Sequence, residues 1–62
     1  MENHPLVERV RNEFIEMPGL RLTPAQAARL WGMDQSSCHS VISTLVTAAF
    51  LRWTPTGMVV RA

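Results

Sequence analysis

One stripe of residues constrains this chain more than any other feature. Cys38, Val41, Ile42, Leu45 and Ala49 recur at steps of three and four residues, while Ser36, Ser40, Ser43 and Thr47 occupy the opposite side. That period belongs to an amphipathic helix and is incompatible with a strand. Asp34 suits its N-cap, so the spacing predicts a helix from Gln35 to Ala49. Gly32-Met33 breaks the pattern just upstream. Before the break, Thr23-Pro24-Ala25-Gln26 has the parts of a capping box: a hydroxyl to accept from the amide three residues on, a proline to pre-set the backbone, and a glutamine to reach back. A short helix therefore runs from there through Trp31, with Ala27, Ala28, Leu30 and Trp31 for packing and Gln26 and Arg29 outward.

A further helix precedes this pair. Leu6, Val7, Val10, Phe14 and Met17 fall on one helical stripe, with Pro5 suited to the first helical position and Asn3 or His4 to its cap. Its other face carries Glu8, Arg9, Arg11, Asn12, Glu13 and Glu16, where pairs such as Glu8 with Arg11 offset one another. Pro18-Gly19 ends it, because proline cannot continue the hydrogen-bond ladder. Leu20-Arg21-Leu22 then alternates apolar and charged residues, the pattern of a very short half-buried strand. After the third helix, Phe50–Thr54 and Met58–Arg61 are β-prone runs joined by Pro55-Thr56-Gly57, which places proline and glycine where a three-residue hairpin loop requires them. The expected class is mainly α with a small β-hairpin, an α+β fold.

Length decides how these elements combine. With 62 residues they must share one core, so one domain over residues 1–62 is expected. A single cysteine, Cys38, cannot form an intrachain disulfide and fits a reducing compartment, the cytoplasm. Met1–Pro5 lacks the basic and apolar regions of a signal peptide, and no apolar stretch approaches the roughly 20 residues needed to span a bilayer, so no membrane role is expected. The net charge is only +1, which does not by itself announce a nucleic-acid partner. All six basic residues are nonetheless arginine (Arg9, Arg11, Arg21, Arg29, Arg52 and Arg61), the side chain suited to phosphates and base edges.

Catalysis and metal binding find little support in the residue pattern. Cys38 and His39 are neighbours on a helix and so point about 100° apart, a poor arrangement for a shared ion. Ser36, Ser37 and His39 lack the acidic partner and strained elbow of a nucleophilic hydrolase. No enzyme activity, cofactor or metal is expected. Trp31 and Trp53 read as core, with a partly exposed ring available for stacking as the other reading of Trp53.

The order helix, short strand, helix, turn, helix, hairpin resembles the winged helix-turn-helix DNA-binding domain of small bacterial transcriptional regulators. The resemblance covers Leu20 to Arg61 and is strongest over Gln26 to Val41, where Ala28 precedes Gly32 by four residues, Met33 follows the glycine, and Cys38 and Val41 face back toward the helix crossing. Leu45–Arg52 is similar to the run from recognition helix into wing. The resemblance implies that helix 35–49 enters the major groove of double-stranded DNA and that wing 50–61 lies on the backbone. It nominates Gln35, Ser36, His39, Ser40 and Ser43 for base or phosphate contacts, and Arg52 and Arg61, with the turn Thr54 to Gly57, for the backbone. Arg29 would reach phosphate from the second helix. The third helix departs from the pattern in having no arginine or lysine, which leaves a protein partner in place of DNA as the alternative. A homodimer through the first helix, with Leu6 and Ile15 extending its apolar stripe, would multiply a modest affinity.

Overall fold

The computed structural model describes residues 4–62 and contains three helices, α1 (His4–Glu16), α2 (Pro24–Trp31) and α3 (Gln35–Thr47), followed by two strands, β1 (Leu51–Trp53) and β2 (Val59–Arg61). Each boundary has a local cause. The threonine that begins α2 closes a complete capping box: Thr23 Oγ1 accepts from the Gln26 amide at 3.2 Å, and Gln26 Oε1 accepts from the Thr23 amide at 3.0 Å. Its other end stops at Gly32, held at φ 64° and ψ 35°, whose N–H donates to the Ala28 carbonyl. Met33 donates to the same carbonyl at 2.9 Å, so the two amides after the helix satisfy one acceptor. This left-handed turn redirects the chain into α3.

The end of α3 differs from the sequence expectation. Ala49 leaves the helix and is exposed, with φ 62° in the left-handed region. Its amide donates to the Val46 carbonyl at 2.9 Å and the Phe50 amide to the Leu45 carbonyl at 3.0 Å, the paired bonds of a Schellman cap. An apolar residue in step with the stripe therefore serves as the cap, because periodicity does not register where the backbone must reverse to feed a strand. Asp34 occupies the cap position of α3, as expected, with its carboxylate beside the Ser37 hydroxyl and amide but short of a full side-chain cap hydrogen bond. Helix α1 begins at His4, one residue before Pro5, and the alternative cap Asn3 lies outside the described residues.

β1 and β2 pair antiparallel with Leu51 opposite Arg61, Arg52 opposite Val60 and Trp53 opposite Val59. Gly57, at φ 82°, supplies the positive angle that the loop needs, and its amide donates to the Thr54 carbonyl at 3.0 Å. The Thr54 hydroxyl accepts from the Met58 amide at 3.1 Å and closes the loop from the side. The expected strand Leu20–Leu22 shrinks to one bridge, Leu22 to Val59, whose two amide-to-carbonyl bonds measure 3.3 and 2.7 Å.

All elements bury one cluster: Val10 and Phe14 of α1, Ala27 and Trp31 of α2, Cys38, Val41, Ile42 and Leu45 of α3, and Leu51 and Val59 of the sheet. Phe14 meets Trp31 edge-on, with ring centroids 6.2 Å apart and planes at 60°. Besides Ala49, three apolar residues assigned inward do not reach this cluster. Leu30 is 56 % exposed, Met17 lies past the end of α1 at 44 %, and Trp53 is 40 % exposed. Ala27, rather than Ala28, is the fully buried small residue of α2. No described helix is long and apolar enough to cross a membrane.

Two substitutions in the caps should move stability in opposite directions. A Cβ at Gly32 meets nothing within 4 Å, so the penalty of Gly32→Val is that of forcing a β-branched residue to positive φ, about 1–3 kcal/mol. At Ala49 the strained residue is already present, and Ala49→Gly should stabilise by about 1 kcal/mol. Thermal melts should separate the two variants on either side of the parent, at about 4–8 °C per kcal/mol for a domain of this size. Equal or reversed shifts would show that neither turn has this conformation.

Candidate nucleic-acid interface

The buried stripe of α3 fixes what its other face can show. With Cys38, Val41, Ile42 and Leu45 held inward, Gln35, Ser36, His39, Ser40 and Ser43 all stand exposed. Ser36, His39, Ser40 and Ser43 line one open hollow along the helix, together with Thr44 and Thr47. Gln35, Ser36 and His39 border a second hollow whose far wall is Pro24 at the start of α2. All five α3 residues nominated from sequence are thus brought to a single face, and the start of α2 adjoins its N-terminal half.

These side chains differ in availability. Gln35, Ser36, His39 and Ser43 make no side-chain hydrogen bond among the described residues, so their donors and acceptors are open to a partner. The Thr44 hydroxyl, which sequence reasoning missed, is spent on the Ser40 carbonyl of its own helix at 3.0 Å. Its place one turn from Ser40 was the available signal, and serine and threonine hydroxyls commonly bond back in this way. Electrostatically the face is neutral along its length and acidic at its start. Ser37, through its hydroxyl and amide, holds the Asp34 carboxyl below its ordinary value of 3.8.

The nominated arginines are less uniform. Arg29 is exposed on α2 and borders a hollow with Arg21, Leu22, Gln26 and Leu30. Arg52 is exposed on β1, on the sheet face opposite the core. Arg61 is only partly exposed, with its guanidinium carbon 4.4 Å above the Phe50 ring and its Nε buried without a hydrogen-bond partner. Arg11 stands on the same ring at 5.2 Å, turned to Phe50 rather than to the Glu8 assigned to it from helical spacing. One ring therefore organises two cations from distant parts of the sequence.

Cys38 and His39 are adjacent in sequence and separated in space. The thiol is buried, lies 3.7 Å from the Pro24 carbonyl oxygen and is pushed above its ordinary pKa by desolvation, whereas the imidazole is exposed on the opposite face. They cannot share an ion in this arrangement, and the thiol stays protonated at neutral pH. No family model, curated protein or solved structure matches the chain, so its chemistry is read from its own residues.

The acidic cap offers a direct check on the start of this face. Because Asp34 titrates below its ordinary value in the folded chain, the stability it contributes is complete above about pH 4 and is lost as pH falls through the folded-state pKa. An NMR titration of its carboxyl carbon should show the low midpoint, and Ser37→Ala should raise it toward 3.8. A midpoint indifferent to Ser37 would remove that residue from the cap.

Proposed function

We propose that the chain is a winged helix-turn-helix module that binds double-stranded DNA as part of cytoplasmic transcription regulation, with α3 in the major groove and the hairpin as the wing on the backbone. The observation that carries this reading is the outward face of α3. Gln35, Ser36, His39 and Ser43 lie exposed and without internal hydrogen bonds on a helix whose other side is locked into the core. A rigid helix with uncommitted polar groups is what base-edge readout requires, and glutamine can meet adenine through two bonds. Arg29 and Arg52, both exposed, would meet phosphates on either side, with Arg61 oriented by Phe50 behind Arg52. Ser40 would lie among these contacts on the same face.

A protein partner is the second reading, and specific observations favour it. The α3 face contains no arginine or lysine, and Leu30 and Trp53 expose 56 % and 40 % of their surface. A second copy is the partner that the DNA reading itself invites. Ile15, 45 % exposed near the end of α1, would lie in such an interface, and light scattering at high protein concentration would read its formation.

Fluorescence anisotropy with a labelled duplex separates the two readings. A DNA-binding chain should lose affinity as salt rises, since released counterions drive the association. Arg29→Ala should weaken binding to every sequence and flatten the salt slope by about one counterion. Gln35→Ala should instead penalise the preferred sequence over random DNA, by about 1–3 kcal/mol. Binding absent at low salt, or indifferent to both substitutions, would overturn the DNA reading.

A further inference from the structure

Strand register gathers arginines that sequence order keeps apart. Arg52 sits opposite Val60, and the bridge between Leu22 and Val59 brings Arg21 alongside Val60 from the other edge. Side chains alternate along strands, so Arg21, Val60 and Arg52 lie in a row on the face away from Leu22, Leu51 and Val59, which pack inward. Arg21 and Arg52 line one hollow of about 250 Å³ on this side, whereas the Arg61 guanidinium, on the face of Leu51, is turned to Phe50. No Asp or Glu lines it, and no ion pair or hydrogen bond engages either guanidinium among the described residues. Like charges side by side on a sheet are unfavourable, and here no carboxylate offsets them.

We propose that this hollow is a phosphate-binding site, with Arg21 and Arg52 gripping the oxyanion from either side of Val60. Guanidinium forks match the oxygens of a phosphate through paired N–H donors, and two cations without an acid suit a multiply charged anion better than a single carboxylate. The volume admits a phosphate group but falls below the roughly 300–1,000 Å³ of pockets that enclose a whole small ligand. The rest of the phosphorylated molecule would therefore remain in solvent. The hollow shares no lining residue with those along α3, but its Arg52 is also a phosphate contact of the DNA reading, so a duplex and a free phosphate would compete for it.

Titration of pyrophosphate into the 15N-labelled chain at constant ionic strength tests the site, with duplex DNA as a second arm. The amides of Arg21, Arg52 and Arg61 should shift saturably. Arg21→Ala, at an exposed position, should weaken pyrophosphate about tenfold without lowering the melting temperature. Arg21→Lys should recover only part of the loss because it keeps the charge and loses the fork. If Arg21→Ala leaves duplex affinity intact, the ligand is a free phosphorylated compound. If it weakens the duplex equally and pyrophosphate competes with the duplex, the ligand is the DNA backbone. Shifts that never saturate, or binding indifferent to Arg21 and Arg52 substitution, would overturn the proposal.

Discussion

Burial of the inner stripe of α3 is the constraint on which the rest of the structure depends. Cys38, Val41, Ile42 and Leu45 are almost wholly removed from water, and α3 packs against α1, α2 and β1. Each such side chain stabilises the fold by about 1.5–3 kcal/mol through lost apolar exposure. Among the described residues no second core exists to compensate for a defect in this one. Trp31 illustrates the balance: its Nε1 is buried with no partner, at a cost of about 1–3 kcal/mol, and the burial of its ring against Phe14 offsets that cost. The same burial orients the opposite face of α3, so the polar groups offered to a partner are placed by apolar contacts they do not make.

Charge is distributed by a second, weaker device. Phe50 follows the Schellman cap of α3 and receives Arg11 from α1 and Arg61 from the last strand. Two of the six arginines are thus engaged with a ring, while Arg9, Arg21, Arg29 and Arg52 remain exposed. Modest net charge conceals this sorting. A chain with a formal charge of +1 still presents a local group of cations without acids, because register and not composition decides which charges meet.

Much of this architecture was legible in the residues alone, for reasons that are local. The capping box at Thr23, the left-handed turn at Gly32, the proline and glycine of the 55–57 loop and the stripe of α3 each depend on neighbours within a few positions, so short-range chemistry determines them. The exposed face of α3 follows by subtraction: once the stripe is inward, Gln35, Ser36, His39, Ser40 and Ser43 must be outward. What tertiary structure alone decided is where separate elements meet. Helical period could not reveal that Ala49 would leave its stripe to cap α3, since both states satisfy the same spacing. Nor could it reveal that Leu30 would miss the core, that Arg11 would choose Phe50 over Glu8, or that Leu20–Leu22 would be reduced to one bridge. The gathering of Arg21 with Arg52 belongs to this second kind. It depends on which residue of a distant segment pairs with Val59, and pairing across tens of residues is set by how the whole core closes, not by any periodicity along the chain.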